Sequence, residues 1–296
     1  MKLVSDFDGV WTDPSAEASA QGEELEQALL GWTDEADRAH AAEWLVMARE
    51  HVRREPDRYG WAPGGRLSAF GDEDPFAAHS ALLHYLHLAA GRDPVARRLH
   101  GSILANGFRS LEAFGGHTHR RGVAKVVAAR GPALLPDAAA AGRAMLARGT
   151  AVTVVSNSGA DKLAHWFGSA GVPASVHPDE RPGAARLRGG ARKFVLDPDR
   201  SEFLEVGELR IEVARPNYER ILREELPDAI VGDVFSLDLA LPLALRRRDP
   251  AFARVGLYWL IQGYTPTRIR DEVAIAAPEV MTITGGLKEL AERIRA

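Results

Sequence analysis

The 296-residue chain carries 37 basic and 41 acidic residues for a net charge of −4, with 46% hydrophobic and 26% charged side chains. That balance belongs to a globular protein with real cores, and the lack of a long basic tract speaks against nucleic acid as a partner. No cysteine is present, which removes disulfides, thiolate chemistry and Cys-ligated zinc; with no secretory leader and no apolar run near ~18 residues, a soluble cytoplasmic protein without a membrane partner is expected.

The first stretch, KLVSDFDGVWTDP from Lys2 to Pro14, reads as a short strand running into an acidic turn. Asp6 and Asp8 are one residue apart, so on an extended chain their side chains point the same way. Two like charges at a buried strand end are costly unless a cation or ligand compensates them. An acidic strand end facing solvent, followed by an Asp-Gly turn, accounts for the same letters.

Beyond Pro14 the pattern turns helical. Residues 15–30 are rich in good helix formers. A second helix is expected from about Thr33, burying Trp44, Met47, Ala48 and Val52. Residues 55–74 read as loop, and Asp74-Pro75 and Asp93-Pro94 each open a further helix as N-cap and first-position proline. The second of these is expected to stop at Gly115-Gly116, and no strand is expected before about Gly131. His79, His84 and His87 fall on one helix and His117 and His119 in a loop; without a readable acidic or third-histidine partner they are expected to be partly exposed residues rather than metal ligands.

From Pro136 strands and helices alternate. AVTVVSN (151–157), AIVGD (229–233), residues 255–261 and 280–283 read as strands, with helices at 136–148, 161–169, 217–225, 236–246 and 287–294. Residues 193–196 and 209–213 read as an inserted hairpin. Such alternation implies an α/β fold with a mostly parallel, Rossmann-like sheet covered on both faces. Asp6, Asn157 and Asp233 then sit at C-terminal strand ends, where open α/β sheets bind ligands.

Asp6-x-Asp8-Gly9-Val10, Ser156-Asn157, Arg215-Pro216, and Gly232-Asp233 with Asp238, in this order, resemble the haloacid dehalogenase-like (HAD) hydrolase superfamily. The resemblance implies an α/β core over 1–14 and 131–296, with an α-helical cap at 15–130 inserted between the first and second motifs. It also implies a Mg²⁺-dependent phosphatase acting on a small phosphorylated metabolite through an aspartyl phosphate. Asp6 would be the nucleophile, and Asp8 the acid and then the base. Ser156 and the backbone at Asn157 would hydrogen-bond the phosphoryl group. Asp6, Asp8 through its backbone carbonyl, Asp233 and Asp238 would hold the metal. A phosphotransferase, or a non-catalytic metal- or phosphate-binding protein, uses the same equipment.

One motif departs from the family pattern. Arg215 stands where a lysine is usual, and its spacing to Asp233 favours it as the catalytic cation, with Lys193 as the alternative ammonium. Lys162 reads as an exposed helix lysine, and Trp11 as core or hinge packing.

Overall fold

The computed structural model describes residues 1–177 and 183–294. Chain order is β1 (Lys2–Ser5), α1 (Ser15–Gly31), α2 (Arg38–Arg54), β2 (Gly60–Trp61), β3 (Ala69–Phe70), α3 (Pro75–Ala89), α4 (Pro94–Ala105), α5 (Leu111–Arg130), α6 (Pro136–Ala147), β4 (Ala151–Val155), α7 (Ala160–Ser169), β5 (Ala174–Ser175), β6 (Ala185–Arg188), β7 (Phe203–Val206), β8 (Leu209–Glu212), α8 (Pro216–Glu225), β9 (Ala229–Gly232), α9 (Ala240–Arg248), β10 (Gly256–Leu260), α10 (Thr267–Ala276), β11 (Val280–Ile283) and α11 (Gly286–Arg293). The chain divides into two compact units, Met1–Asp13 with Pro132–Ala296, and Pro14–Gly131.

The first unit is an α/β fold around a seven-stranded sheet in the order β11-β10-β9-β1-β4-β6-β5. Every pairing in it is parallel. Its central strands are runs of apolar or small residues because helices cover both faces, and β9 (AIVG) is buried throughout. Strand β1 lies in the middle, pairing Ser5 with Val154 of β4 and with Val231 of β9. The chain builds outward from β1 in both directions, so the strand order reverses there. That is the position at which doubly wound sheets open a crevice at their C-terminal edge.

Packing around β1 fixes the turn that follows it. Trp11 is fully buried, its indole Nε1 donating to Ser5 Oγ at 2.9 Å. Helix α6 presses so closely that a Cβ on Gly142 would lie 2.6 Å from the Trp11 ring.

Sequence and structure differ in the second half where charged letters hide strands. Strand β6 (ARLR) went unread because arginine is rare in a strand. Arg186 and Arg188 are nonetheless compensated, both pairing with Glu225 and Arg188 also with Glu224. The hairpin is not 193–196 with 209–213 but β7 with β8, closed between Val206 and Leu209. Lys193 therefore belongs to the loop beyond β6.

The second unit is helical, with a core of Leu25, Leu29, Trp44, Leu45, Leu82, Leu86, Leu99, Ile103 and Phe114 among others. Asp74 caps α3 through Phe76 N and Ala77 N, and Asp93 caps α4 through Val95 N and Ala96 N. Three expectations fail here. Gly115 and Gly116 do not end a helix: they lie inside α5, whose Leu111, Phe114, Thr118 and Gly122 form one buried face. Gly115 is there for contact, since a Cβ would approach Leu83 Cδ1 to 2.9 Å. Met47 is 63% exposed rather than buried. A short antiparallel pair, β2 with β3, interrupts the helices; two-residue strands are too brief to show a period-two pattern. Among the described residues no helix is long and apolar enough to cross a membrane.

Candidate active site

Residues just beyond β1, β4 and β9 meet at one edge of the sheet. Asp6 leaves β1 with its N–H donating to Val231 O at 2.9 Å, and Ser156 leaves β4 with its N–H donating to Arg188 O at 3.1 Å. Asp233 follows β9. Asp238 comes from a π-helical turn, Phe235–Leu239, a wide turn of the kind often found at functional sites. That turn is pinned by its own aspartate, whose Oδ2 accepts from Val234 N at 3.1 Å.

Carboxylate oxygens of Asp6, Asp233 and Asp238 all lie within 4.8 Å of one another. Lys193 reaches into this group, its Nζ donating to Asp6 Oδ1 at 2.5 Å and to Asp238 Oδ1 at 2.5 Å. The ammonium is 1% exposed and lies 5.7 Å from the centre of the Tyr218 ring. Burial works against its charge, but Asp238 and Asp6 outweigh burial and hold its pKa above the ordinary lysine value. For Asp6 the balance falls the other way: burial, then the Asp238 charge, push it up to about 8 against the pull of Lys193. One ammonium thus leaves three clustered carboxylates under-compensated.

The donor set fits a hard divalent cation such as Mg²⁺, which takes carboxylate oxygens and would supply the missing charge. A second observation agrees. Gly9, at φ +81°, leaves a gap beside Asp233 that any side chain would fill: a Cβ there would lie 2.1 Å from Asp233 Oδ2. Asp233 is oriented by Tyr264, whose hydroxyl donates to Oδ2 at 2.7 Å, and by Trp259, whose Nε1 donates to the Asp233 carbonyl at 2.8 Å. Gln262 donates from Nε2 to Gly9 O at 2.5 Å, so the loop after β10 braces both sides of that gap.

Arg215 corrects the sequence reading. It is wholly buried, and its Nε and Nη1 donate to the carbonyls of Glu212 and Leu237 at 3.2 and 2.9 Å. Through Leu237 it anchors the turn carrying Asp238, while the ammonium beside Asp6 is that of Lys193. Asn157 differs too: its Oδ1 accepts from Lys193 N at 2.7 Å and so holds the lysine's loop. Ser156 Oγ accepts from Ser158 N at 3.0 Å. Asp8 is not a member of the three-carboxylate cluster. Its Oδ2 accepts from Ser158 Oγ at 2.9 Å and its Oδ1 from Lys162 Nζ at 3.0 Å. Lys162 is accordingly not an exposed helix lysine, its side chain being 11% exposed.

Four participants were not read as such from the sequence: Lys162, Ser158, Gln262 and Tyr264. For Lys162 a signal existed, because a residue four beyond Ser158 at the start of a helix can return to the same strand end. For Tyr264 and Gln262 the loop after β10 offers no motif.

No protein-family model matches the sequence, and no curated protein matches it. Among solved structures, the putative HAD-hydrolase YfnB from Bacillus subtilis, bound to magnesium, aligns with 100% of this chain and 98% of its own at 13% identity and a TM-score of 0.44. A haloacid dehalogenase-like family hydrolase from Xanthomonas campestris aligns over 100% and 94% at 13% identity and a TM-score of 0.44. L-2-haloacid dehalogenase from Xanthobacter autotrophicus aligns over 99% and 98% at 14% identity and a TM-score of 0.42. The solved structures to which this chain is similar are thus HAD-like hydrolases.

Proposed function

We propose that this chain is a HAD-like hydrolase, and within that class a Mg²⁺-dependent phosphatase of a small phosphorylated metabolite. The observation that carries the reading is the convergence of Asp6, Asp233, Asp238 and Lys193, with Asp8 two residues further on and held by separate partners. Phosphoryl transfer asks mainly for positioning and charge stabilisation, which such a group supplies.

In this mechanism an Asp6 oxygen attacks phosphorus and the bond to the leaving oxygen breaks, Asp8 giving that oxygen a proton. Water then attacks the same phosphorus; Asp8 takes its proton, the bond to Asp6 breaks, and phosphate leaves. Lys193 keeps Asp6 aligned and offsets its charge, the task the sequence had suggested for Arg215. Ser156 and the backbone at Asn157 hydrogen-bond the phosphoryl oxygens. Mg²⁺, held by Asp6, Asp233 and Asp238 with the Asp8 carbonyl, neutralises charge on the group being transferred.

The test is a screen of phosphorylated metabolites and p-nitrophenyl phosphate with and without Mg²⁺, with Asp6→Asn as control and 2-chloropropionate alongside. Mg²⁺-dependent phosphate release that Asp6→Asn abolishes supports the phosphatase. Chloride release without phosphate release would make it a dehalogenase, and metal binding without any turnover would make it a binding protein.

A further inference from the structure

Lys162 has three features that a surface lysine lacks. Its ammonium donates to Asp8 Oδ1 at 3.0 Å and lies 3.4 Å from Ser158 Oγ, whose own proton goes to Asp8 Oδ2. It also sits between two aromatic rings, 5.6 Å from the centre of Phe7 and 5.4 Å from that of Trp166. Finally, Lys162 is the third residue of α7, at the positive end of the helix dipole, where a cation is disfavoured by a few tenths of a kcal/mol to ~1 kcal/mol. A lysine in that place needs a compensating partner, and Asp8 is one.

Each oxygen of Asp8 therefore has its own donor, and the two donors come from one short segment beyond β4. A carboxylate held at both oxygens has one orientation. Held at one, it can rotate away from a water molecule it must deprotonate, and misplacement of about 1 Å is enough to slow a reaction by about 10²-fold.

We propose that Lys162, together with Ser158, is a positioning pair that fixes the Asp8 carboxylate for the attack of water on the aspartyl phosphate. This rests on the phosphatase reading above. In the step concerned, the water oxygen forms the new bond to phosphorus, the Asp6 oxygen leaves as carboxylate, and the water proton passes to Asp8. Phe7 and Trp166 restrict the lysine stem, so the ammonium is aimed before substrate arrives.

Pre-steady-state kinetics on p-nitrophenyl phosphate with Mg²⁺ test it. The p-nitrophenolate leaving group needs no proton, so formation of the aspartyl phosphate is spared when Asp8 is misplaced and its hydrolysis is not. Lys162→Met is expected to release about one p-nitrophenolate per active site in a burst, then turn over about 10–100-fold more slowly than the wild type, with KM changed less than about 3-fold. Lys162→Arg should regain most of the rate, and Asp8→Asn should reproduce the burst. A steady-state rate for Lys162→Met within about 3-fold of an active wild type overturns the proposal alone. So does a loss of rate with no burst and a lowered melting temperature, which is the mark of a merely structural ion pair. A wild type that turns over no phosphate ester overturns the phosphatase reading and this proposal together.

Discussion

The two units bury ionisable groups in opposite ways. In the α/β unit three carboxylates gather around one ammonium, and the balance of charge is left short. In the helical unit buried histidines stay neutral: burial lowers the pKa of His79 even though its Nε2 lies 2.7 Å from Ala18 O, and burial followed by the charge of His87 lowers those of His84 and His100. Its one buried carboxylate with a resolved shift, Glu24, is paired with both Lys125 and Arg121, which hold it below the usual carboxylate range. One unit tolerates a local electrostatic deficit and the other removes it. The difference teaches where chemistry can be done, because a site that still lacks positive charge has affinity to offer a cation and an anionic substrate together.

The comparison breaks most sharply at Asp6. Asp6→Asn should reduce phosphate release by about 10³-fold or more, while melting temperature holds or rises because a repelled carboxylate has gone. A melt that drops with the activity would mean that the aspartate is structural. Lys193→Met should act in the opposite direction on stability: the carboxylates lose their ammonium, which costs about 3–5 kcal/mol by chemical denaturation, and activity falls at least about 10²-fold. Added Mg²⁺ should return part of that stability, since the ion binds the folded state alone.

Gly9→Ala sharpens the contrast with a single methyl group. It intrudes on Asp233 Oδ2 and Tyr264, and titration calorimetry should show Mg²⁺ affinity lowered by about 10–100-fold. The smallest effect belongs to the helical unit. His79 has an ordinary value of 6.5, and its lowered folded value means that the unfolded chain takes up the proton first. Its stabilising contribution is therefore full above that ordinary value and is lost as pH falls through the folded one. Thermal melts from pH 7.5 down to about 5 should show a falling transition for the helical unit, flattened in His79→Gln.

Much of this was legible in the sequence wherever a short apolar strand ended in a distinctive residue. Asp6, Ser156 and Asp233 each follow such a run, and strand alternation with helices implied the parallel sheet. Asp238 came with Asp233 through its spacing. The cation was another matter. Spacing favoured Arg215, but the β7–β8 hairpin lies between β6 and α8, and whether it separates a residue from the site is a tertiary fact. Lys193 depends on β6, a strand whose arginines are made tolerable by Glu225 and Glu224, partners up to 39 residues ahead in the chain. Lys162 was misread for a related reason: a lone lysine on a helix has no sequence mark that separates a solvated side chain from one paired with Asp8. Gly115 and Gly116 mimic a helix stop because close contact with Leu83 and a terminator call for the same residue.

The gap at Gly9 has a consequence for how such a chain can change over generations. The space that a side chain at position 9 would take is already filled by the Tyr264 hydroxyl and the Asp233 carboxylate, so the three positions form one steric account held in common. Alanine at 9 should survive only alongside a smaller residue at 264, and the two positions, at opposite ends of the chain, should be inherited as a pair.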